Sequence, residues 1–310
     1  MYRVKYNTQK IHALRVLYLD SIHLKSLTMS KLTVTNHNRN LTGLTYVYPV
    51  LSRRAGGLSI GINFNTNNAC NWRCIYCQVP ELKNGAAPEI DLDLLASELR
   101  FFLNSVLHGN FYDEMEVDAA QRMIKDIAIA GNGEPTSLKD FDLAVNLIGS
   151  IANEFGIFPQ SHFVLITNGS LIHRSSVQKG LKTIKEYEGE IWFKMDSATP
   201  EGRKKFNHCA QSNESVLKNL QIASELCTTK IQICLVDYRQ QGLSQSEKTG
   251  FINFLKQVRS HTTIENITIY TLARPSQQPE AVDLQIMPFD IMDDLAHAIR
   301  LLNFNVVVTQ

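Results

Sequence analysis

Residues 58–77 read LSIGINFNTNNACNWRCIYC and join an apolar run to a loop with three cysteines, Cys70, Cys74 and Cys77. Their spacings let one loop place several thiolates around one soft-metal centre. A structural zinc site usually has four ligands in two separated pairs, and no fourth thiol lies nearby in the sequence. Three thiolates on a four-iron cluster would leave one iron open for a ligand. A zinc knuckle completed by a distant His or Cys, or coincidental free cysteines, are the alternatives.

Outward from this stretch, short β-branched runs alternate with segments of helical periodicity. Strand and helix repeated six times predict βα units and a parallel sheet, and near-continuous apolar strands are typical of a sheet covered on both faces. Asp91 is predicted to cap the first helix. The pattern alone allows an open doubly wound sheet or a partial barrel. The predicted strands are 58–64, 126–131, 162–168, 190–196, 230–237, 265–272 and 304–309, and the predicted helices are 91–107, 139–154, 174–187, 213–226, 245–259 and 288–302.

Polar or glycine-rich residues follow each of the first six predicted strands. In parallel βα folds the carboxyl ends of the strands meet at one edge, where chemistry usually gathers. Six such ends together, one of them with three cysteines, predict a functional site on one rim. After the cysteine stretch, the ends read GNGEPT at 131–136, TNGS at 167–170, KMDSATP at 194–200, VDYRQQG at 236–242 and TLARPS at 271–276.

The cysteine spacing after the first strand of a βα repeat resembles that of the radical S-adenosylmethionine (radical SAM) superfamily. Tyr76, the aromatic residue before the last cysteine, is also similar to that family, and the resemblance implies that it lies in the cofactor-binding site. The resemblance implies that Cys70, Cys74 and Cys77 hold one [4Fe-4S] cluster whose open iron binds the amino and carboxylate groups of S-adenosylmethionine. In that family one electron cleaves the cofactor to methionine and a 5′-deoxyadenosyl radical, which abstracts hydrogen from the substrate. The fold implied is an α/β partial (βα)6 barrel of the radical SAM type with a short N-terminal extension.

A glycine motif follows the second predicted strand. It reads Gly131-Asn132-Gly133-Glu134-Pro135 and resembles the family's glycine pair followed by Glu-Pro, with Asn132 inserted between the glycines. The resemblance implies that Gly131, Asn132, Gly133 and Glu134 bind the cofactor at its methionine amino group. Glycine suits such a contact because its missing side chain lets a ligand approach the backbone closely. A helix-initiating turn with a solvated Glu134 is the alternative.

Further cofactor contacts are implied at the next strand ends. Lys194 and Asp196 lie on the same face of one strand, so both side chains can point into the barrel. The resemblance implies that they contact the ribose hydroxyls and the methionine carboxylate, and a structural Lys–Asp pair is the alternative. Thr167 and Asn168 are candidates for a ribose or carboxylate contact, against a simple Asn-Gly turn. Arg274 is a candidate anion contact, against a solvated loop arginine.

Composition and charge bound the class of protein. The 310 residues are 44% hydrophobic and 20% charged, which suits a large folded core, and the net charge of +1 argues against a general nucleic-acid coat. The sequence shows neither an apolar stretch of membrane-spanning length nor a secretory signal, so a cytoplasmic protein with no membrane partner is predicted.

Residues 1–50 are interpreted as an irregular N-terminal extension with a helix near 10–24. Residues 1–28 are a candidate start-site artefact ahead of Met29, and residues 51–310 are interpreted as a radical SAM core with a C-terminal closing segment.

The remaining cysteines and several large aromatic residues are interpreted as structural. The cysteines lack a loop-wrapping pattern, which favours buried thiols over a second cluster, and the aromatic residues follow core periodicity. These residues are Cys209, Cys227, Cys234, Phe101, Phe102 and Trp192.

The motifs indicate a radical SAM enzyme and leave its substrate open. The GNGEPT variant and the size are similar to the branch that holds wybutosine-type tRNA-modifying enzymes and small activating enzymes of glycyl-radical proteins, so tRNA or a protein is the expected substrate. The sequence shows no flavin or ferredoxin motif, so an external flavodoxin or ferredoxin is the implied electron donor. A tRNA substrate requires a basic patch, for which 53–54 and 203–205 are candidates, although a merely solvated face is the favoured interpretation of either. The alternative from another class is a non-catalytic iron–sulfur or zinc module that binds RNA or protein.

Overall fold

The computed structural model describes residues 31–33, 41–52 and 56–309, which are built around one sheet of eight strands. The strand order across the sheet follows the chain order, and every neighbouring pair is parallel except the antiparallel first pair. A doubly wound sheet would reverse its strand order at a switch point, so the sequential order identifies the partial barrel. The strands are β1 (Val47–Ser52), β2 (Gly57–Ile62), β3 (Ile124–Ile129), β4 (His162–Thr167), β5 (Glu190–Lys194), β6 (Thr228–Cys234), β7 (Ile267–Tyr270) and β8 (Val306–Thr309).

Six long helices connect the parallel strands, one in each βα unit, as the sequence predicts. The first begins as expected, because Asp91 accepts a hydrogen bond from the backbone N–H of Leu94 at 2.9 Å. The other boundaries lie within a few residues of the predicted ones. The helices are α1 (Leu92–His108), α2 (Phe141–Glu154), α3 (Ser175–Glu186), α4 (Asn213–Leu226), α5 (Gln245–His261) and α6 (Phe289–Arg300).

Alternate residues of each strand divide between the helix-covered core and the barrel interior. Ile231 and Ile233 of β6 belong to the main hydrophobic core. Gln232 lies between them and lines a cavity inside the barrel. Because side chains alternate across a strand, the inward positions form a separate and more polar interior. This interior leads to the carboxyl ends of the strands, where the candidate site residues lie.

Strand β1 corrects the interpretation of residues 1–50 as irregular. It pairs with β2, with Val47 opposite Ile62 and Ser52 opposite Gly57, and it lies across the predicted boundary at residues 50–51. The sequence does not indicate this strand, because Pro49 lies within it and proline is rare inside sheets. Strand β1 is an edge strand, and an edge strand tolerates the missing N–H of proline. The predicted helix near residues 10–24 and the candidate start at Met29 lie outside the described residues.

Two short ribbons were not predicted. Residues Ala69–Cys70 pair with Lys83–Asn84, and residues Val236–Tyr238 pair with Leu284–Ile286. The second ribbon divides the predicted strand 230–237 into β6 and a separate segment. Among the described residues, no helix is long and apolar enough to cross a membrane.

The predicted packing of the large aromatic residues is correct in part. Phe102 is buried, but Phe101 is 43% exposed, because adjacent residues of a helix cannot both face the core. Trp192 lies inside the barrel between the outward-facing Ile191 and Phe193, so its assignment to the hydrophobic core is wrong.

Candidate cluster and cofactor site

Residues 65–80, here called the cysteine loop, lie beyond the carboxyl end of β2. Cys77 donates its backbone N–H to the carbonyl of Cys74 at 2.9 Å, which closes the turn that brings these two residues together. The backbone N–H groups of Arg73 and Ile75 donate to the carbonyls of Asn207 (3.1 Å) and Phe206 (2.9 Å). The loop is therefore fixed to the helical turn Arg203–Asn207, which follows β5.

The three thiols lie on this one loop and are half-buried. Cys70 Sγ accepts a hydrogen bond from the backbone N–H of Trp72 (3.4 Å), and Cys74 Sγ accepts one from Asn207 Nδ2 (3.1 Å). Burial raises the pKa of Cys70 to about 12 and raises that of Cys74 still further. Without a metal both groups are thus protonated at neutral pH, so metal binding must displace their protons. Three soft donors that become thiolates on binding suit iron–sulfur chemistry.

No three His, Cys, Asp or Glu side chains of the described residues are arranged to hold a single metal ion. A four-iron cluster takes each thiolate on a different iron and so does not need all ligands around one atom. The other three cysteines are buried, as predicted for structural thiols. Cys209 lies in a loop and Cys227 at a helix end, whereas Cys234 ends β6 and packs against Ile75 of the cysteine loop.

The glycines of the 131–135 motif are required by close packing against the cysteine loop. A Cβ on Gly131 would lie 2.1 Å from Asn63 Oδ1, and a Cβ on Gly133 would lie 1.9 Å from the carbonyl oxygen of Ala69. Neither contact can be accommodated, because these atoms belong to a buried side chain and to the backbone. Asn132 adds a contact between the glycine motif and the cysteine loop, since its Nδ2 donates to Asn68 Oδ1 at 2.7 Å.

Glu134 joins the ends of β3 and β4 and is 2% exposed. Its Oε1 accepts from the hydroxyls of Thr136 and Thr167 (both 2.6 Å) and from the backbone N–H of Thr136 (3.1 Å). Its Oε2 accepts from the backbone N–H of Asn168 at 2.7 Å. Burial raises the pKa of Glu134, while these hydrogen bonds oppose that rise. The alternative of a solvated Glu134 is therefore wrong.

Asn168 also connects β4 to the cysteine loop. Its Nδ2 donates to Asn71 Oδ1 at 2.9 Å, and its Oδ1 accepts from the hydroxyl of Ser170 at 2.7 Å. Three predicted cofactor-contact residues, Glu134, Thr167 and Asn168, thus form one buried network with each other.

Asp196 is the centre of a second network, the Asp196 cluster, which consists of Tyr76, Lys194, Asp196 and Asn207. Its Oδ1 accepts from the backbone N–H of Cys234 (3.0 Å) and lies 3.4 Å from Lys194 Nζ. Its Oδ2 accepts from the Tyr76 hydroxyl and from Asn207 Nδ2 (3.0 Å). The predicted common orientation of Lys194 and Asp196 is confirmed, and the cluster lies directly against the Cys74 thiol.

Lys194 keeps its charge inside the barrel. Its Nζ donates to the Tyr270 hydroxyl at 3.0 Å and lies 5.1 Å from the centre of the Tyr76 ring. Burial lowers the pKa of Lys194, but the charge of Asp196 together with the neighbouring Tyr270, Cys234 and Cys74 groups outweighs burial and holds the pKa well above its ordinary value. Lys194 is therefore positively charged at neutral pH.

Asn207 is the residue that the sequence interpretation missed. Its Nδ2 bridges Cys74 Sγ and Asp196 Oδ2, and its Oδ1 is buried with no partner among the described residues. Asn65 Oδ1, beside Gly133, is a second buried acceptor of this kind. Such acceptors are costly unless a donor reaches them, and an ammonium or hydroxyl group of a cofactor is such a donor. No sequence motif identifies Asn207, because it follows Asp196 by eleven residues in an irregular turn.

Residues 276–280, after β7, clamp the cysteine loop. The Ser276 hydroxyl donates to the carbonyl of Ile75 at 2.8 Å, and Gln278 Nε2 donates to that of Val79 at 3.0 Å. Glu280 binds Arg73 through both carboxylate oxygens (2.7 and 2.8 Å). No sequence motif marks this segment, because each contact depends on the tertiary fold.

Arg274 borders a cavity of about 1050 Å³ between β1, the cysteine loop and the segment after β7. Its Nη1 donates to Gln78 Oε1 at 3.0 Å. Asn63 and Asn132 line the same cavity, which makes it a candidate entrance to the site.

The basic patch proposed at residues 203–205 does not form as predicted. Arg203 is 2% exposed and donates to the carbonyl of Gln211 (2.8 Å) and to Asn213 Oδ1 (2.5 Å). Lys205 donates to Gln241 Oε1 at 2.9 Å. The other candidate patch, residues 53–54, lies outside the described residues.

The Arg73–Glu280 pair is expected to make loop stability depend on pH. Hydrogen bonding from Arg73 lowers the pKa of Glu280 from 4.5 to about 2. A lowered pKa in the folded state means that the pair stabilises fully above pH 4.5, and that this stabilisation is lost as the pH falls towards 2. Glu280→Gln should therefore lower the thermal midpoint at neutral pH, and the difference from wild type should shrink below pH 4.5. Scanning calorimetry of both proteins measures this, with the exposed Glu89→Gln as the matched control.

The comparisons with known proteins agree with this geometry. The sequence model of the radical SAM superfamily matches residues 64–239, which include the cysteine loop, the glycine motif and the Asp196 cluster. Among solved structures, a radical SAM methyltransferase from Sphaerobacter thermophilus has a TM-score of 0.54 at 11% identity and covers 96% of this chain and 83% of its own. TYW1 with a bound lysine-pyruvate adduct has a TM-score of 0.50 at 16% identity and covers 78% of this chain and 73% of its own.

Two curated relatives match a shorter region. A UPF0026 protein of Helicobacter pylori (strain J99) is 30% identical over 137 residues, which are 43% of this chain and 38% of that protein. The GTPase Obg of Brachyspira hyodysenteriae (strain ATCC 49526 / WA1) is 30% identical over 136 residues, which are 43% of this chain and 17% of that protein. The chain thus spans well under half the length of these relatives. The family match, by contrast, covers more than half of the present chain and the whole cysteine loop, and the chain belongs to the radical SAM superfamily.

Proposed function

We propose that this protein is a radical SAM enzyme that binds one [4Fe-4S] cluster through Cys70, Cys74 and Cys77 and binds S-adenosylmethionine beside it. The observation that carries the proposal is the contact of Cys74 with the Asp196 cluster, through the 3.1 Å hydrogen bond from Asn207. When bound, the two groups supply reductive cleavage of the sulfonium to methionine and a 5′-deoxyadenosyl radical that abstracts hydrogen from the substrate.

The residues around the thiols have separable tasks in this proposal. Asn207 donates a hydrogen bond to the Cys74 sulfur, and such bonds tune the reduction potential of a cluster. Lys194 contributes positive charge that favours an anionic group, which suits the methionine carboxylate. Asn65 and Asn207 offer acceptors that no donor of the described ranges reaches, and these could accept from an ammonium or a hydroxyl group. Glu134, Thr167 and Asn168 are already saturated by each other, so their proposed contribution is to position the backbone of the glycine motif.

The substrate is proposed to be a tRNA or a protein that reaches the site through the cavity beside Arg274. Its volume of about 1050 Å³ is ample for a nucleotide or a short peptide segment. Burial of Arg203 reduces the basic patch suggested at 203–205 to the exposed Lys204 and Lys205. An external flavodoxin or ferredoxin is the proposed electron donor, and the cytoplasm is the proposed location.

Anaerobic reconstitution with iron and sulfide tests the proposal. We expect about four irons for each chain. We also expect an electron paramagnetic resonance spectrum of the reduced cluster that changes when S-adenosylmethionine is added, and 5′-deoxyadenosine after reduction with dithionite. Zinc in place of iron, or a reduced cluster whose spectrum does not change when S-adenosylmethionine is added, would overturn the proposal. The former result would promote a non-catalytic module that binds RNA or protein.

A further inference from the structure

A second cavity lies at the other end of the barrel, where the parallel strands begin. Its volume is about 480 Å³. It is separate from the cysteine loop, which lies beyond the strands' carboxyl ends. Residues at this amino end of a barrel normally contribute stability, so their polar groups should be satisfied within the protein. The polar walls of the cavity include Lys125, Asp126, Glu190, Lys230, Gln232 and Asn266.

Two amide groups in this cavity, here called the basal cavity, have no hydrogen-bond partner within the described part of the protein. Gln232 is 4% exposed, and its side chain has no hydrogen-bond partner among the described residues. Asn266 Oδ1 is buried and likewise without a partner in the described part of the chain. The buried Asn266 oxygen is destabilising unless a donor reaches it, and the Gln232 amide faces the cavity, so both groups favour a ligand that supplies the missing partners.

The charged groups of the cavity are unequally paired. The Glu190 carboxylate accepts from Trp192 Nε1 at 2.6 Å and from Lys230, whose Nζ also lies 3.5 Å from Glu265. The Lys230 ammonium is thus offset by carboxylates, and Glu190 fixes the indole in the wall. The Asp126 carboxylate of the same cavity accepts a hydrogen bond from the Ser59 hydroxyl. Lys125 differs, since its ammonium forms no ion pair within the described ranges and so can receive an anion.

The complement of these groups is a small zwitterion. A carboxylate matches the Lys125 ammonium and the N–H donors of Gln232, and an ammonium group matches Asn266 Oδ1. Trp192, Val164 and Val307 offer an apolar wall for a side chain. The volume lies within the range of small-molecule sites. We propose that the basal cavity binds a free α-amino acid, recognised by Lys125, Gln232 and Asn266.

Calorimetric titration of the full chain with each of the twenty L-amino acids tests the proposal. Acetate and methylamine serve as probes that carry only one of the two charges. We expect at least one amino acid to bind, and to bind about tenfold or more tightly than either single-charge probe. Failure of every amino acid to bind, or equal binding of acetate or methylamine, overturns the proposal.

Variants then locate the site. Gln232→Leu keeps the size of the side chain and removes its amide, and it should weaken binding about tenfold, whereas the exposed Gln257→Leu on α5 should not. Lys125→Met at the cavity mouth should weaken binding similarly, and it decides the matter if Gln232→Leu fails to fold by circular dichroism. Unchanged binding in the folded variants would place the amino acid elsewhere and contradict the proposal. Because no step needs the cluster or S-adenosylmethionine, the result is independent of the proposed enzymatic function.

Discussion

Replacing Cys74 with alanine is expected to reduce both iron retention and 5′-deoxyadenosine formation by about 100-fold or more. Loss of a residue that only supports a metal ligand already costs about 10- to 100-fold, and loss of a ligand should cost at least as much. Cys74 is the cysteine of the loop with the most direct contact to the Asp196 cluster, through Asn207 at 3.1 Å. Iron content, visible absorption and product formation after anaerobic reconstitution measure the effect.

Cys209→Ala is the matched control for this substitution. Cys209 is also buried, and within the described part of the chain its sulfur accepts a hydrogen bond from the backbone N–H of Gln211 (3.3 Å) and none from the cysteine loop. The control should retain iron and product at wild-type levels. Equal loss in both variants would indicate that iron depends on the remote thiols, and full activity of Cys74→Ala would refute the assignment of the cluster to the cysteine loop.

The βα pattern could be predicted from sequence because each unit is a local event. Strands of β-branched residues and helices with periodic apolar residues are specified within ten to twenty residues, and all six units formed where expected. Strand β1 was not predicted from the sequence, because Pro49 within it is typical of a strand break. The segment is recognisable as a strand only through its pairing with β2, which is distant from any local pattern. The inward face of β5 was decidable, because Lys194 and Asp196 were expected to point into the barrel and Trp192 alternates with them.

The candidate site was predictable where a motif carries it. The three cysteines, the glycine motif and the Lys194–Asp196 pair were all identified, and the structure brings them to one rim. What sequence could not supply is the partner of each polar group. Glu134 was expected to face cofactor or solvent, yet four donors from two strand ends surround it. Asn207 was not identified from the sequence, because its role depends on contacts with Cys74 and Asp196, which are distant from it in the chain.

Asp196→Ala is expected to lower the free energy of unfolding by about 3–5 kcal/mol, because it leaves a buried positive charge uncompensated. Asp196 is 4% exposed, and its carboxylate accepts from Tyr76, Asn207, the backbone of Cys234 and Lys194. Removing it deprives all four donors of an acceptor at once. Urea unfolding of the full chain, with iron and sulfide omitted, measures the loss without a contribution from cluster binding. The exposed Asp118→Ala should change stability by less than about 0.5 kcal/mol.

The double variant Lys194→Met with Asp196→Ala identifies the cause of that loss. If the unpaired ammonium dominates, removing it as well should restore much of the stability, because apolar replacement of a buried ion pair is often neutral. If the lost hydrogen bonds dominate, the double variant should stay as unstable as Asp196→Ala. Unfolding of Asp196→Ala at the wild-type midpoint would contradict both accounts. Asp196 would then contribute nothing to folding, and its four buried donors would have to be satisfied by other groups within the barrel.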